Sequence, residues 1–315
     1  MDPVTIDCHY TGRPGVAAAY LLRDGEEAAF VETNTTPAVP RLLAALADTG
    51  LAPEQVRYII ITHIHLDHAG GAGALMAACP HATLLAHPKA APHAIDPARI
   101  IAGAAEVYGE AQFAALYGRV HPVPAERVRA LEDHDTVALG DRTLSFLHTR
   151  GHANHHFCIY DARTAGVFTG DSFGIAYPAL QRHGPVIFPS TTPTDFDAAA
   201  AHDTVDRIVA TGAQRLYLTH FGTVEDPASL APQLHDWLAA HAAIEEEGDT
   251  SGREGEQLST FCKTRVAALF DEHLRAAGLH DDPDALALVA FDVALNAQGL
   301  DFAVRKRRYK RSRPR

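Results

Sequence analysis

Thr62-His63-Ile64-His65-Leu66-Asp67-His68 sets three imidazoles and a carboxylate into six positions, directly after the apolar run Tyr58-Ile59-Ile60-Ile61. Neutral imidazole nitrogen and carboxylate oxygen are ligands for zinc, iron and manganese. An apolar run of this length reads as a buried strand, expected over Val56 to His63, and a strand sends alternate side chains to opposite faces. His63 and His65 are therefore expected on one face at the strand's end, with Asp67 and His68 arriving from the turn into Ala69-Gly70-Gly71-Ala72-Gly73-Ala74. The chain carries 20 His, so chance clusters are common. A pair such as His155-His156 reads as structural or solvated, whereas the whole string at a strand exit reads as a metal site. Three more candidates also follow short apolar runs: His152 in Thr149-Arg150-Gly151-His152, Asp171 after Val167-Phe168-Thr169-Gly170, and His220 after Leu216-Tyr217-Leu218-Thr219.

The elements that must position these groups are legible in outline. Strands are expected at 15–23, 28–32, 56–63, 82–86, 143–148, 157–160, 166–169 and 215–219, and helices at 37–49, 71–79, 195–210 and 227–241. Hairpin-like pairs that give way to alternation with helices, twice over, suit an α+β fold in which two mixed sheets stack with helices outside, a four-layer αβ/βα sandwich. The Ala- and Pro-rich stretch 88–127, helical around 98–117, reads as an insertion over the metal edge. The glycines at 70, 71 and 73 lack a dinucleotide-binding spacing, and their expected role is steric, letting a helix start pack close beneath the ligands. No Gly-x-Ser-x-Gly elbow or Walker-type loop competes, and Cys8, Cys79, Cys158 and Cys262 stand singly, which points to idle thiols and no thiolate metal site.

In the order and spacing of His63, His65, Asp67, His68, His152, Asp171 and His220, the chain resembles the metallo-β-lactamase-fold hydrolase superfamily, in the style of its glyoxalase II-like branch. The resemblance covers about Val4 to Val224. It implies that His63, His65 and His152 hold a first metal, that Asp67, His68 and His220 hold a second, and that Asp171 bridges them. Two departures lie at the pocket lip: Arg150 stands where the family often has proline, and Asn154-His155-His156 replaces small residues. Two divalent ions, zinc first with iron or manganese as alternatives, can lower the pKa of a shared water to near 7, and Asp67 can both ligate and orient it as the catalytic carboxylate. The expected reaction is hydrolysis of a small-molecule thioester, ester or lactone. The alternatives are an iron-dependent oxidoreductase or dioxygenase on the same ligands and, after that, a phosphodiesterase or nuclease.

Composition bounds the rest. With 315 residues, 47% hydrophobic and 21% charged, the chain is ordinary for a soluble protein and long enough for one large domain with an appendage. The start Met1-Asp2-Pro3-Val4 lacks the pattern of a signal peptide, no apolar run reaches the ~18 residues of a membrane span, and single cysteines agree with a reducing cytoplasm. The metal-binding domain is expected over 1–244, followed by a polar linker at 245–257, a helical extension at 258–304 and a basic tail at 305–315. The extension's helices, 258–277 and 283–298, have apolar faces too small to fold alone and should dock on the main domain or on a second copy in a homo-oligomer. Eight of the 27 basic residues fall in the last eleven positions, a block expected to be solvated and disordered. The net charge of −12 argues against nucleic acid as a partner. Between Ser172 and Pro189 the aromatics are expected to pack, with Tyr177 and His183 as the residues to watch.

Overall fold

Alternating and β-branched runs fold as two mixed six-stranded sheets in a computed structural model that describes residues 1–191 and 194–312. Two units are distinguished: residues 1–149, 155–170 and 211–227 form one, and residues 150–154, 171–210 and those from 228 onward form the other. In the first unit, one sheet runs β1 (Val4–Asp7), β2 (Ala18–Asp24), β3 (Glu27–Val31), β4 (Val56–Ile60), β5 (Thr83–Ala86), β6 (Val128–Ala130). Its first three strands are antiparallel and the rest parallel. The other sheet comprises β7 (Thr136–Leu139), β8 (Arg142–His148), β9 (Phe157–Asp161), β10 (Gly166–Gly170), β11 (Arg215–Leu218) and β12 (Gly222–Glu225). All its pairings are antiparallel except β10 with β11.

Period-two alternation decides what each sheet buries. Tyr20, Leu22, Val31 and Ile60 of the first sheet pack with Phe146, Ile159, Phe168 and Tyr217 of the second. Leu21, Phe30, Ile59 and Leu84 point the other way, onto Leu42 and Leu46 of α1 (Val39–Asp48). The short helix α2 (Leu66–Ala69) leads into α3 (Ala72–Ala78), whose Leu75 and Met76 join that layer. The insertion forms α4 (Ala91–Ile95), α5 (Ala98–Tyr108) and α6 (Glu110–Tyr117), the last two separated at Gly109 with φ of 76°. Phe113 and Tyr117 of α6 pack with Tyr10, Ala17 and Leu66, so the insertion leans on the stretch that carries Asp67. The strand expected to reach His63 ends at Ile60. His63 and His65 therefore sit in a turn, and strand alternation does not set their directions.

The second unit is helical: α7 (Ala198–Val209), α8 (Pro227–Thr250, in this unit from residue 228), α9 (Gly255–Ala276) and α10 (Pro283–Ser312). Asp197 caps α7 by accepting from the Ala200 N–H at 3.1 Å. Leu258, Cys262, Val266, Phe270 and Leu274, four residues apart, form the buried face of α9. Phe270 also meets Trp237 and Phe188 edge-on.

Two sequence expectations fail here for one reason. The polar linker is helix through Thr250, and the basic tail is helix through Ser312, because the two neutralise one another. Arg307 pairs with Glu246 at 2.9 Å and Arg308 with Asp249 at 3.3 Å, while Arg311 reaches Asp249 at 2.6 Å. The tail's residues 313–315 lie outside the described residues. Gly248 is the only glycine that the acidic run places inside α8, and a Cβ there would already stand 3.2 Å from Val304, so its smallness lets the helices approach. By length and composition α10 can cross a membrane. It nevertheless buries Asp292 and Asn296, and each has a hydrogen-bond partner in its own unit.

Hydrogen bonding from Arg311 holds the Asp249 carboxyl below the ordinary aspartate value. The tie is therefore complete at neutral pH and fades only as pH drops through that lowered value. Asp249→Asn should cost about 1–3 kcal/mol, read as a lower urea midpoint at pH 7, with α10's last turns losing amide protection first. His241 behaves oppositely. Burial pushes it down to about 4, partly offset by its bond to the Trp237 carbonyl. The unfolded chain then takes up a proton below about 6.5 that the folded one refuses. Stability should fall between pH 6.5 and 4, and His241→Gln should flatten that slope in denaturant titrations at the two ends.

Candidate metal centre

Each imidazole of the first unit's cluster is fixed by what its second nitrogen does. Nδ1 of His68 faces the Glu32 carboxylate at 3.0 Å, and Nδ1 of His220 faces the Val16 carbonyl at 2.9 Å. These acceptors require Nδ1–H, which leaves Nε2 with the lone pair. Both Nε2 atoms turn toward Asp67 Oδ2, at 3.8 Å from His68 and 3.4 Å from His220. His63 follows the same rule. Thr62 gives its hydroxyl proton to Glu32, so its oxygen accepts from His63 Nδ1 at 3.1 Å, and His63 Nε2 comes within 2.9 Å of His65 Nδ1.

Asp67, His68 and His220 thus offer ligand atoms that all lie within 4.8 Å of one another. Asp67 and His68 come from α2, of which His65 is the N-cap, and His220 follows β11. In the second unit, His152 repeats the pattern: Nδ1 faces the Ser190 carbonyl at 3.0 Å and Nε2 stands 3.5 Å from Asp171 Oδ2. The five sequence candidates of the first unit are therefore gathered together, and the two of the second unit adjoin each other. A cavity of about 20 Å³ beside His152 and Asp171 has room for roughly one water.

The donor set fits divalent metal on its own chemistry. His68, His152 and His220 present lone pairs toward carboxylates and His63 toward His65, the tautomers are locked by outer acceptors, and no cysteine belongs to the candidate ligand groups.

Glu32 is the residue that sequence reasoning missed. It is 1% exposed, and it accepts from His68, from Thr62 and, at 3.2 Å, from Thr219. Its φ of 67° is costly for a residue with a Cβ. The available signal was a lone acid ending the strand expected over 28–32. The next residues hold α2: Thr33 donates to the His68 carbonyl and Asn34 to that of Asp67, each at 2.9 Å. The steric reading of the glycines is supported, since a Cβ on Gly70, Gly71 or Gly73 would lie 2.4, 2.9 or 2.2 Å from the backbone oxygens of Leu66, Thr33 or His121.

His155 and His156, expected to be structural or solvated, wall the ligand rings. His156 is buried and bonded to Thr149 at 2.7 Å with its ring 4.9 Å from His63, and His155 lies 5.4 Å from His65. Tyr177 packs as expected, donating to Asp292 at 3.3 Å, and His183 is exposed. Burial, reinforced by His148 at 4.1 Å, pushes His87 down to about 3 and keeps it a neutral neighbour.

A family model described as the metallo-beta-lactamase superfamily matches residues 12–220. Over 131 residues the chain is 25% identical to a lactamase-like protein of Pestalotiopsis microspora, spanning only 31% of that protein's length. Among solved structures, an archaeal metallo-beta-lactamase superfamily protein from Sulfolobus tokodaii aligns with a TM-score of 0.65 at 19% identity, covering 95% of this chain and 97% of that one. A metallo-beta-lactamase family protein from Thermus thermophilus aligns at 0.64 and 21% identity, covering 98% and 93%. The structural likenesses establish the fold, α+β with two mixed sheets, and with the family model matching most of the sheet-bearing region the chain belongs to the metallo-β-lactamase superfamily.

Proposed function

We propose that the protein is a dinuclear metal-dependent hydrolase of small molecules, acting on a thioester or other activated ester first and a lactone next, on a glyoxalase II-like plan. The observation that carries this reading is the common tautomer of His63, His68, His152 and His220, each with Nδ1 turned to a protein acceptor and Nε2 left for coordination. On the family's plan His63, His65 and His152 serve one ion and Asp67, His68 and His220 the other, with Asp171 common to both. Divalent ions, zinc before iron or manganese, supply a nucleophile from water at neutral pH and polarise the acyl oxygen.

The chain's own part is orientation. Asp67 is the most exposed of the second group, 26% for its side chain against 0% and 7% for the two imidazoles, so it can both ligate and accept a water proton. Glu32 accepts from His68 Nδ1 and so aims its ring. Tyr10 and Tyr117, phenols whose pKa burial raises strongly, stay protonated beside this edge and can present O–H donors without adding charge. A nuclease reading is disfavoured because the arginines at 307, 308 and 311 are committed to the acidic end of α8. An iron oxidoreductase is the stronger alternative, since an all-nitrogen-and-oxygen donor set suits iron as well as zinc.

Elemental analysis of protein purified without added metal should find two ions per chain, and zinc with thioester turnover supports hydrolysis. Iron with oxygen consumption overturns it. His65→Ala and Asp171→Ala should each lose metal and activity by more than the roughly 10–100-fold expected for an outer partner such as Glu32→Gln. Normal metal content in either ligand variant refutes the assignment.

A further inference from the structure

We infer that Asn296, on α10, is a positioning residue for His152, and that holding this ligand is a task of the C-terminal extension. The inference rests on the metal-site reading above. His152 Nδ1 is oriented by the Ser190 carbonyl at 3.0 Å. Ser190 lies in a stretch without regular secondary structure, so its carbonyl needs an external fix. Asn296 supplies one on both sides. Its Nδ2 donates to the Pro189 carbonyl at 3.2 Å, and its Oδ1 accepts the Thr191 hydroxyl at 2.8 Å as well as the Thr191 N–H. The Thr191 hydroxyl is also 3.0 Å from the Asn296 carbonyl. Asn296 and Thr191 are 1% and 0% exposed, and a buried amide that satisfies both its donor and acceptor sides on one three-residue stretch is costly to replace. Two further ties fasten the same loop to α10, Tyr177 to Asp292 at 3.3 Å and Lys306 to the Thr194 carbonyl at 2.8 Å.

Asn296→Ala and Asn296→Asp should lower affinity for the ion bound by His152 by at least about tenfold, the lower end for an outer partner. The other ion should be retained, read as stoichiometry falling from two toward one on dilution and as a changed ligand-field spectrum of the cobalt-substituted protein. Val289→Ala, a packing change on the same helix, controls for loss of stability and should keep both ions. Wild-type protein that binds no metal sinks the function reading. Wild type with two ions and Asn296→Ala indistinguishable from it sinks this inference alone, as does Val289→Ala losing the same ion.

Discussion

Control of imidazole tautomers is the constraint on which the site depends. A histidine can offer its lone pair from either nitrogen, and only an acceptor at one of them decides which. Here the acceptors differ in kind: a carboxylate for His68, a hydroxyl for His63, and main-chain carbonyls for His152 and His220. Carbonyl acceptors are as good as the backbone that carries them, which is why so much of the fold serves to hold short stretches still. Val16 is fixed by its place just before β2, where Ala18 donates to the Thr219 carbonyl at 2.8 Å, so the acceptor and His220 are bound through neighbouring residues.

Glu32 shows what such control costs. A carboxylate at 1% exposure loses its hydration, and its left-handed backbone adds strain. Both costs are offset locally. Donors from Thr62 and Thr219 share the charge with His68, and the unusual turn at residues 32–34 brings Thr33 and Asn34 to the carbonyls of α2. Strand β3 thus ends in a residue that orients one ligand ring while its successors hold the helix on which that ring sits.

Much of this was legible because strand exits and ligand types are local signals. The His-x-His-x-Asp-His string, the small residues after it and most strands could be read from periodicity and composition. Short strands such as β1 and β6 escaped because four or three residues carry too little pattern, and the paired sheet supplies what they lack. The acidic run 245–249 read as a linker because its charge looks unpaired in sequence. Its partners lie far along the chain on α10, and only tertiary contact shows that Glu246 and Asp249 meet arginines. Glu32 and Asn296 were hidden for a related reason, since a polar residue within an apolar context announces a buried partner without saying which one.

The extension then takes on a different meaning from an appendage. Ion pairs among exposed side chains contribute little individually, but Asp249 is 6% exposed and gathers several arginines, so it fixes the end of α10 more firmly than a surface pair would. Fixing that end sets the helix along its length, and with it Asn296, the carbonyls beside Ser190, and the direction of His152 Nδ1. A charge pattern that suggests a solvated tail is thereby linked, through one helix and one amide, to the geometry of a metal ligand.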